Sequence, residues 1–228
     1  MKIFYTVILL PYILFPLIAQ SSPPTFTSDW FSANIKNWDK NKVLLKDIPN
    51  KRCLEIGAYE GRSTIYIVEN YCNGKGSTID VLDTWKGSLK EYSEKENEGI
   101  YERFMKNLSP YMKDNRITIN KGKSIDTLLR FVQEVRAGQR EKYDFVYIDG
   151  SHVAKDVLID TVLSWELLKN GGLMYFDDYQ YAAGTKAAPS RPEAAIDGFL
   201  ECYDGTYKIL HKGYQVHLQK TMDSTGDN

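Results

Sequence analysis

Little in this chain points to cross-linking by sulfur or by a structural metal. Its three cysteines, Cys53, Cys72 and Cys202, are an odd number without metal-ligand spacing, and Cys53 falls inside an apolar strand-like run. They read as reduced thiols and packing residues. Charge of one sign is not in excess either: 29 Lys and Arg face 30 Asp and Glu, a net charge of −1. That balance excludes the basic footprint of nucleic-acid binding as the main activity and leaves a small, neutral partner as the expectation. There is no internal repeat, and the one charge run, Lys90 to Glu98, reads as a solvated loop.

Long apolar runs are missing except at the start. Lys2 is followed by an uncharged stretch from Ile3 to Ala19, then Gln20-Ser21-Ser22-Pro23-Pro24. A charged start, an apolar middle and a small-residue exit describe a secretory signal or anchor, somewhat short for a membrane span. The expectation is export or membrane contact through this segment. The alternative is an apolar arm on a cytoplasmic protein. The triplet Asn107-Leu108-Ser109 is a poor glycosylation site because Pro110 follows it. At 228 residues the chain suits one domain with a large core. We divide it into the apolar segment 1–22, an aromatic-rich helical extension 23–50, a main domain 51–220 and a polar tail 221–228.

What is present is most telling at residues 53–64, Cys-Leu-Glu-Ile-Gly-Ala-Tyr-Glu-Gly-Arg-Ser-Thr. An apolar strand bearing Glu55 runs into a glycine turn, and a helix opens at Arg62, Ser63 and Thr64, its free N–H groups facing whatever occupies the turn. The second glycine of the dinucleotide fingerprint G-x-G-x-x-G is lacking, because Tyr59 stands in its place. A diphosphate would fit poorly. Strand-like and helix-like patterns then alternate, with strands near 52–56, 77–82, 116–120, 143–148 and 172–176 and helices near 62–71, 99–108, 124–136 and 153–168. Asn170-Gly171-Gly172 is expected to end the last of these helices. Pro192 to Tyr203 reads as a helix, and Tyr207–His211 and Tyr214–Gln219 as a hairpin about Lys212-Gly213. Such alternation implies an α/β fold, a mostly parallel sheet with helices on both faces. Phe26, Trp30, Phe31 and Trp38 suggest short helices laid on that sheet.

The run Leu54-Glu55-Ile56-Gly57-Ala58-Tyr59-Glu60-Gly61-Arg62-Ser63 resembles the first motif of the catechol O-methyltransferase group of class I, Rossmann-like, S-adenosylmethionine-dependent methyltransferases. The resemblance continues through Asp83-Thr84-Trp85, Gly122-Lys123-Ser124, Tyr147-Ile148-Asp149-Gly150-Ser151-His152 and Gly171 to Tyr179, in the family's order, and covers about residues 28–220. It implies a doubly wound, seven-stranded sheet whose last strand is antiparallel and inserted beside the fifth. It also implies methyl transfer from S-adenosylmethionine to a hydroxyl of a small molecule, assisted by magnesium as in the related sugar and catechol enzymes. Two alternatives remain open: a metal-independent methyltransferase of the same fold, and an exported domain that binds a ligand without turnover.

For the donor, the glycine turn (Gly57, Ala58, Tyr59, Gly61) and Ser63 form the first contact set. A ribose diol asks for a carboxylate at the end of the second strand, and strand alternation favours Asp83 over Asp80, which faces the other side. Glu55 is placed to receive the donor's ammonium, or else to accept from turn N–H groups. Gly122 permits close approach at the end of the third strand, beside Lys123. Ser124 is read as a helix cap that also meets the adenine edge.

For the reaction, Asp149, Asp177 and Asp178 come to neighbouring strand ends, and three like charges there suit a hard divalent ion. The resemblance places metal ligands at those positions, and Asp149 is expected to touch the donor as well. His152 stands where the catechol enzymes carry a lysine near the reacting hydroxyl and is the candidate base, with helix capping as its alternative role. Tyr179 to Pro192 reads as a lid or surface loop.

Overall fold

The structure is a computed structural model that describes residues 23–86, 98–112, 116–181 and 190–223. The apolar segment 1–22, the charge run and most of the expected lid fall outside the described residues. Among the described residues no helix is long and apolar enough to cross a membrane.

Seven strands form one sheet in the order β3-β2-β1-β4-β5-β7-β6. They are β1 (Arg52–Ile56), β2 (Thr78–Asp83), β3 (Ile117–Lys121), β4 (Tyr143–Ile148), β5 (Leu168–Phe176), β6 (Tyr207–Lys212) and β7 (Val216–Lys220). The first five run parallel, and β7 inserts antiparallel between β5 and β6, as the resemblance implied. β4 is buried along its whole length, which its apolar sequence requires of a central parallel strand. The strand order reverses at β1 and β4, so the crevice outside their carboxyl ends is the topological place for a ligand.

One face of the sheet carries α4 (Ser124–Arg136), α5 (Ala154–Leu167) and α6 (Pro192–Cys202), packed through Leu128, Phe131, Trp165, Ile196 and Phe199. The other carries α1 (Ile35–Asn41), α2 (Arg62–Asn70) and α3 (Ile100–Leu108). There the aromatic extension does what its spacing suggested. Trp38 is fully buried, edge-on to Tyr147 at 4.8 Å and to Tyr175 at 5.0 Å, and Phe31 packs beside it. Trp30 does not join them and stays 53% exposed.

Gly171 and Gly172 do not end a helix. α5 stops at Leu167, Leu168 is already extended, and the glycines lie within β5, where pairing jumps from Tyr143↔Leu168 to Phe145↔Leu173. The extra residues form a bulge that Gly171, at φ 83°, accommodates. Asn107 is also closed to a glycan: it is buried, and its amide bonds the main chain of Thr25 and the carbonyl of Glu60.

Candidate active site

The turn after β1 is held by the protein itself. Gly57 has φ 84°, and a Cβ there would stand 1.9 Å from the carbonyl oxygen of Asp149. The close approach of β4 alone thus excludes a side chain at this position. Gly61 is required by α3, since its Cβ would meet Leu108 at 2.3 Å. Gly122 is different: among the described residues nothing lies within 4 Å of a Cβ built on it.

Asp83 closes the turn from the second strand. Its Oδ2 accepts from the N–H groups of Ala58 (2.7 Å) and Tyr59 (2.9 Å), and its Oδ1 from Trp85 N–H at 2.7 Å. Asp80 sits on the opposite face in a structural network, accepting from Tyr143 Oη (2.7 Å) and Arg140 Nη1 (3.1 Å). Strand alternation placed the two carboxylates on opposite faces, and their partners separate in that way. Glu55 is fully buried and accepts from the hydroxyls of Ser63 and Thr64, so the turn N–H groups are not its partners. Burial is the main cause that lifts its pKa to about 8, with the Asp83 charge adding to it and the two hydroxyls opposing.

Ser124 is the first residue of α4 and makes no capping bond; Lys123 occupies the cap position. The Ser124 hydroxyl instead lies near Asp160 of α5, whose carboxyl burial raises to about 6, with Ser124 opposing the rise. His152 does not cap α5 either. Ser151 Oγ accepts from Val153 N–H at 3.1 Å, and the imidazole turns toward the strand ends, where Nε2 lies 2.9 Å from Asp178 Oδ2. The ring packs on Tyr181, with centroids 4.2 Å apart.

The three carboxylates divide into a pair and a partner. Tyr147 Oη lies 2.7 Å from Asp177 Oδ2 and 3.0 Å from Asp149 Oδ2, so one hydroxyl proton serves both. Burial, and then repulsion by Asp177 and Asp178, drives the Asp149 pKa well up. Burial and Asp178 likewise raise Asp177. Asp178, at φ 59°, points elsewhere, accepting from His152 and from Tyr214 Oη at 2.8 Å. Among the described residues, no three carboxylate, imidazole or thiolate groups stand ready to hold a metal ion. The expected three-ligand cluster is therefore not preformed, because Asp178 is committed to His152 and Tyr214.

Behind the pair lies a chain of bonds that sequence reasoning missed. Gln215, at the foot of β7, faces Tyr147 Oη with Nε2 at 3.4 Å and helps to hold down the pKa of Asp177. Its Oε1 accepts from Trp38 Nε1 at 2.7 Å and lies 3.1 Å from His217 Nε2. Burial lowers the His217 pKa to about 3, so the ring is neutral. The amide of Gln215 is thereby oriented, oxygen toward Trp38 and nitrogen toward the carboxylates. Tyr147 itself was legible: it precedes Asp149 by two, and period-two alternation puts both on one face.

The sequence pattern of the methyltransferase-domain family matches residues 54–179, more than half of the chain. The chain belongs to that family. Its fold is that of the class I, Rossmann-like, S-adenosylmethionine-dependent methyltransferases, and solved structures agree. An O-methyltransferase from Bacillus cereus in complex with SAH is 16% identical, with a TM-score of 0.58 over 85% of this chain and 84% of that one. The O-methyltransferase TomG from Streptomyces achromogenes, in complex with SAM, is 14% identical, with a TM-score of 0.58 over 84% and 82%. The MycE methyltransferase of the mycinamycin pathway, in complex with Mg and SAH, is 16% identical, with a TM-score of 0.57 over 88% of this methyltransferase and 53% of its own chain. No curated protein matches the sequence significantly.

Proposed function

We propose that this methyltransferase moves the methyl group of S-adenosylmethionine to a hydroxyl of a small molecule. The observation that carries the reading is the His152–Asp178 dyad beside the Asp149–Asp177 pair, at the strand ends that also present the glycine turn and Asp83. In this reading Asp83 binds the ribose with the lone pairs left by its three N–H donors. Gly122, Lys123 and Ser124 border the adenine, and Glu55, once it gives up its proton, balances the ammonium. Ala58, Tyr59, Gly61 and Ser63 shape the turn against the donor. Asp178 accepts from His152 Nε2–H and so orients the imidazole that takes the acceptor's proton.

Asp149 and Asp177 fit a divalent ion by their chemistry. Two half-buried carboxyls held near one hydroxyl at raised pKa are a site where a dication replaces protons at a gain, and hard oxygens suit magnesium. Bound there, it would polarise the acceptor oxygen and lower its pKa. Asp178 joins only by releasing His152. The same dyad supports a second reading, in which His152 alone takes the proton and no metal is needed.

The test is methyl transfer to a panel of sugars, phenols and catechols, followed as release of S-adenosylhomocysteine, with and without chelator. Loss of turnover on chelation with donor binding intact, and recovery with magnesium, supports the metal-assisted reading. Turnover indifferent to chelator but lost in His152→Ala supports the second. Donor binding without turnover on any hydroxyl acceptor contradicts the proposal.

A further inference from the structure

The opposite edge of the sheet carries a basic pocket that methyl transfer does not use. It is an open cavity of about 460 Å³ between the loop that leads into β1 and the loop that leads into β2, lined by Lys46, Pro49, Asn50, Lys51, Asn73 and Lys75 among others. Lys51 precedes β1 and Gly57 follows it, so the length of one strand, about 17 Å at ~3.3 Å per residue, separates the pocket from the donor turn.

Lys51 is the decisive residue. It is only 4% exposed, and its ammonium has a single long bond, 3.4 Å, to the carbonyl of Ile48. Among the described residues it forms no salt bridge. A buried cation is unfavourable unless an anion or several acceptors stand against it, and here the cavity lies where that anion would be. Lys46 and Lys75, both exposed, add two further ammonium groups to the lining, with the amides of Asn50 and Asn73 as donors beside them. Asp47, the acid of the same loop, is exposed and is not part of the lining.

We propose that this pocket binds a phosphate group, free or as the headgroup of an anionic lipid. Compact ammonium charges match a phosphate ester, which carries about −1.5 to −2 at neutral pH, better than a single carboxylate. The lipid source has its own support: Val43 and Leu44, on the helical turn just before Lys46, are 51% and 43% exposed. An apolar pair beside a basic pocket is the composition of a surface that meets headgroups and the acyl boundary together.

The experiment uses the full chain and the variant Lys46→Glu/Lys75→Glu, whose two sites are exposed and far from the donor turn. Inorganic phosphate is titrated calorimetrically at constant ionic strength against chloride. In parallel, flotation compares neutral phosphatidylcholine vesicles with vesicles containing phosphatidic acid, so that the apolar N-terminal segment contributes equally to both. We expect saturable phosphate binding weakened at least tenfold in the variant, with donor affinity unchanged. Retention that rises with phosphatidic acid, and loses that rise in the variant, assigns the headgroup source; phosphate binding without it assigns a soluble phosphate. Absence of both responses overturns the proposal. So does a response of either kind that survives the charge reversal, because the anion is then held elsewhere.

Discussion

The hydroxyl of Tyr147 lies 2.7 Å from Oδ2 of Asp177 on the neighbouring strand and shares its one proton with Asp149, 3.0 Å away. Tyr147→Phe leaves two half-buried carboxyls without that donor, and we expect a loss of about 1–3 kcal/mol in denaturant unfolding. The loss grows with pH. Asp149 and Asp177 have raised folded pKa values, so their contribution is complete below the unfolded value near 3.8 and fades as pH rises through the folded values. If magnesium binds the pair, it restores the parent's stability at alkaline pH. A variant as stable as the parent at pH 8, with or without magnesium, contradicts this view of the cluster.

Glu55 gives a second pH signature. Its pKa is raised from 4.5 to about 8, so its share of stability is present below pH 4.5 and is lost as pH climbs through about 8. A shift of that size corresponds to a decline of about 5 kcal/mol. Glu55→Gln removes this decline, which denaturation midpoints measured from pH 5 to 9 report. If the carboxylate also balances the donor's ammonium, donor affinity in the parent rises toward pH 8 and that rise disappears in the variant.

The glycines separate packing from ligand access. Gly57→Ala sets a methyl 1.9 Å from the Asp149 carbonyl and is expected to prevent folding or to remove more than ~3 kcal/mol. Gly122→Ala meets no atom within 4 Å, although its φ of 152° adds strain, so the folded protein survives. Its donor affinity should fall. Circular dichroism melting and donor titration distinguish the two outcomes; a stable Gly57 variant, or a Gly122 variant with parental donor affinity, contradicts the assignment.

Local contacts were readable in the sequence and distant ones were not. The boundaries of β4 and α4, the order of the βα units and the opposite faces of Asp80 and Asp83 follow from periodicity, because each depends on neighbours a few residues apart. Trp38 and Gln215 meet across 177 positions, and no spacing rule brings an N-terminal helix to the foot of the last strand. Ser124 and Gly171 were assigned by propensity to cap roles, and context prevailed in both: Lys123 takes the cap position before Ser124, and the bulge in β5 takes Gly171. The metal cluster was inferred from three carboxylates at strand ends. That counting could not foresee that Asp178 would turn to His152 and Tyr214.

The central claim is that the donor lies over the β1 turn and is recognised by Asp83. Titration calorimetry of S-adenosylmethionine and S-adenosylhomocysteine into the parent, Asp83→Ala and Asp80→Ala tests it most directly. The account predicts one site per chain in the parent and a loss of about 1–3 kcal/mol in Asp83→Ala, part of it from the freed N–H groups of Ala58 and Tyr59. Asp80→Ala should melt earlier, having stranded Arg140 and Tyr143, yet bind the donor like the parent where it is folded. Equal affinity in the Asp83 variant and the parent, or no heat with either nucleoside, would contradict it.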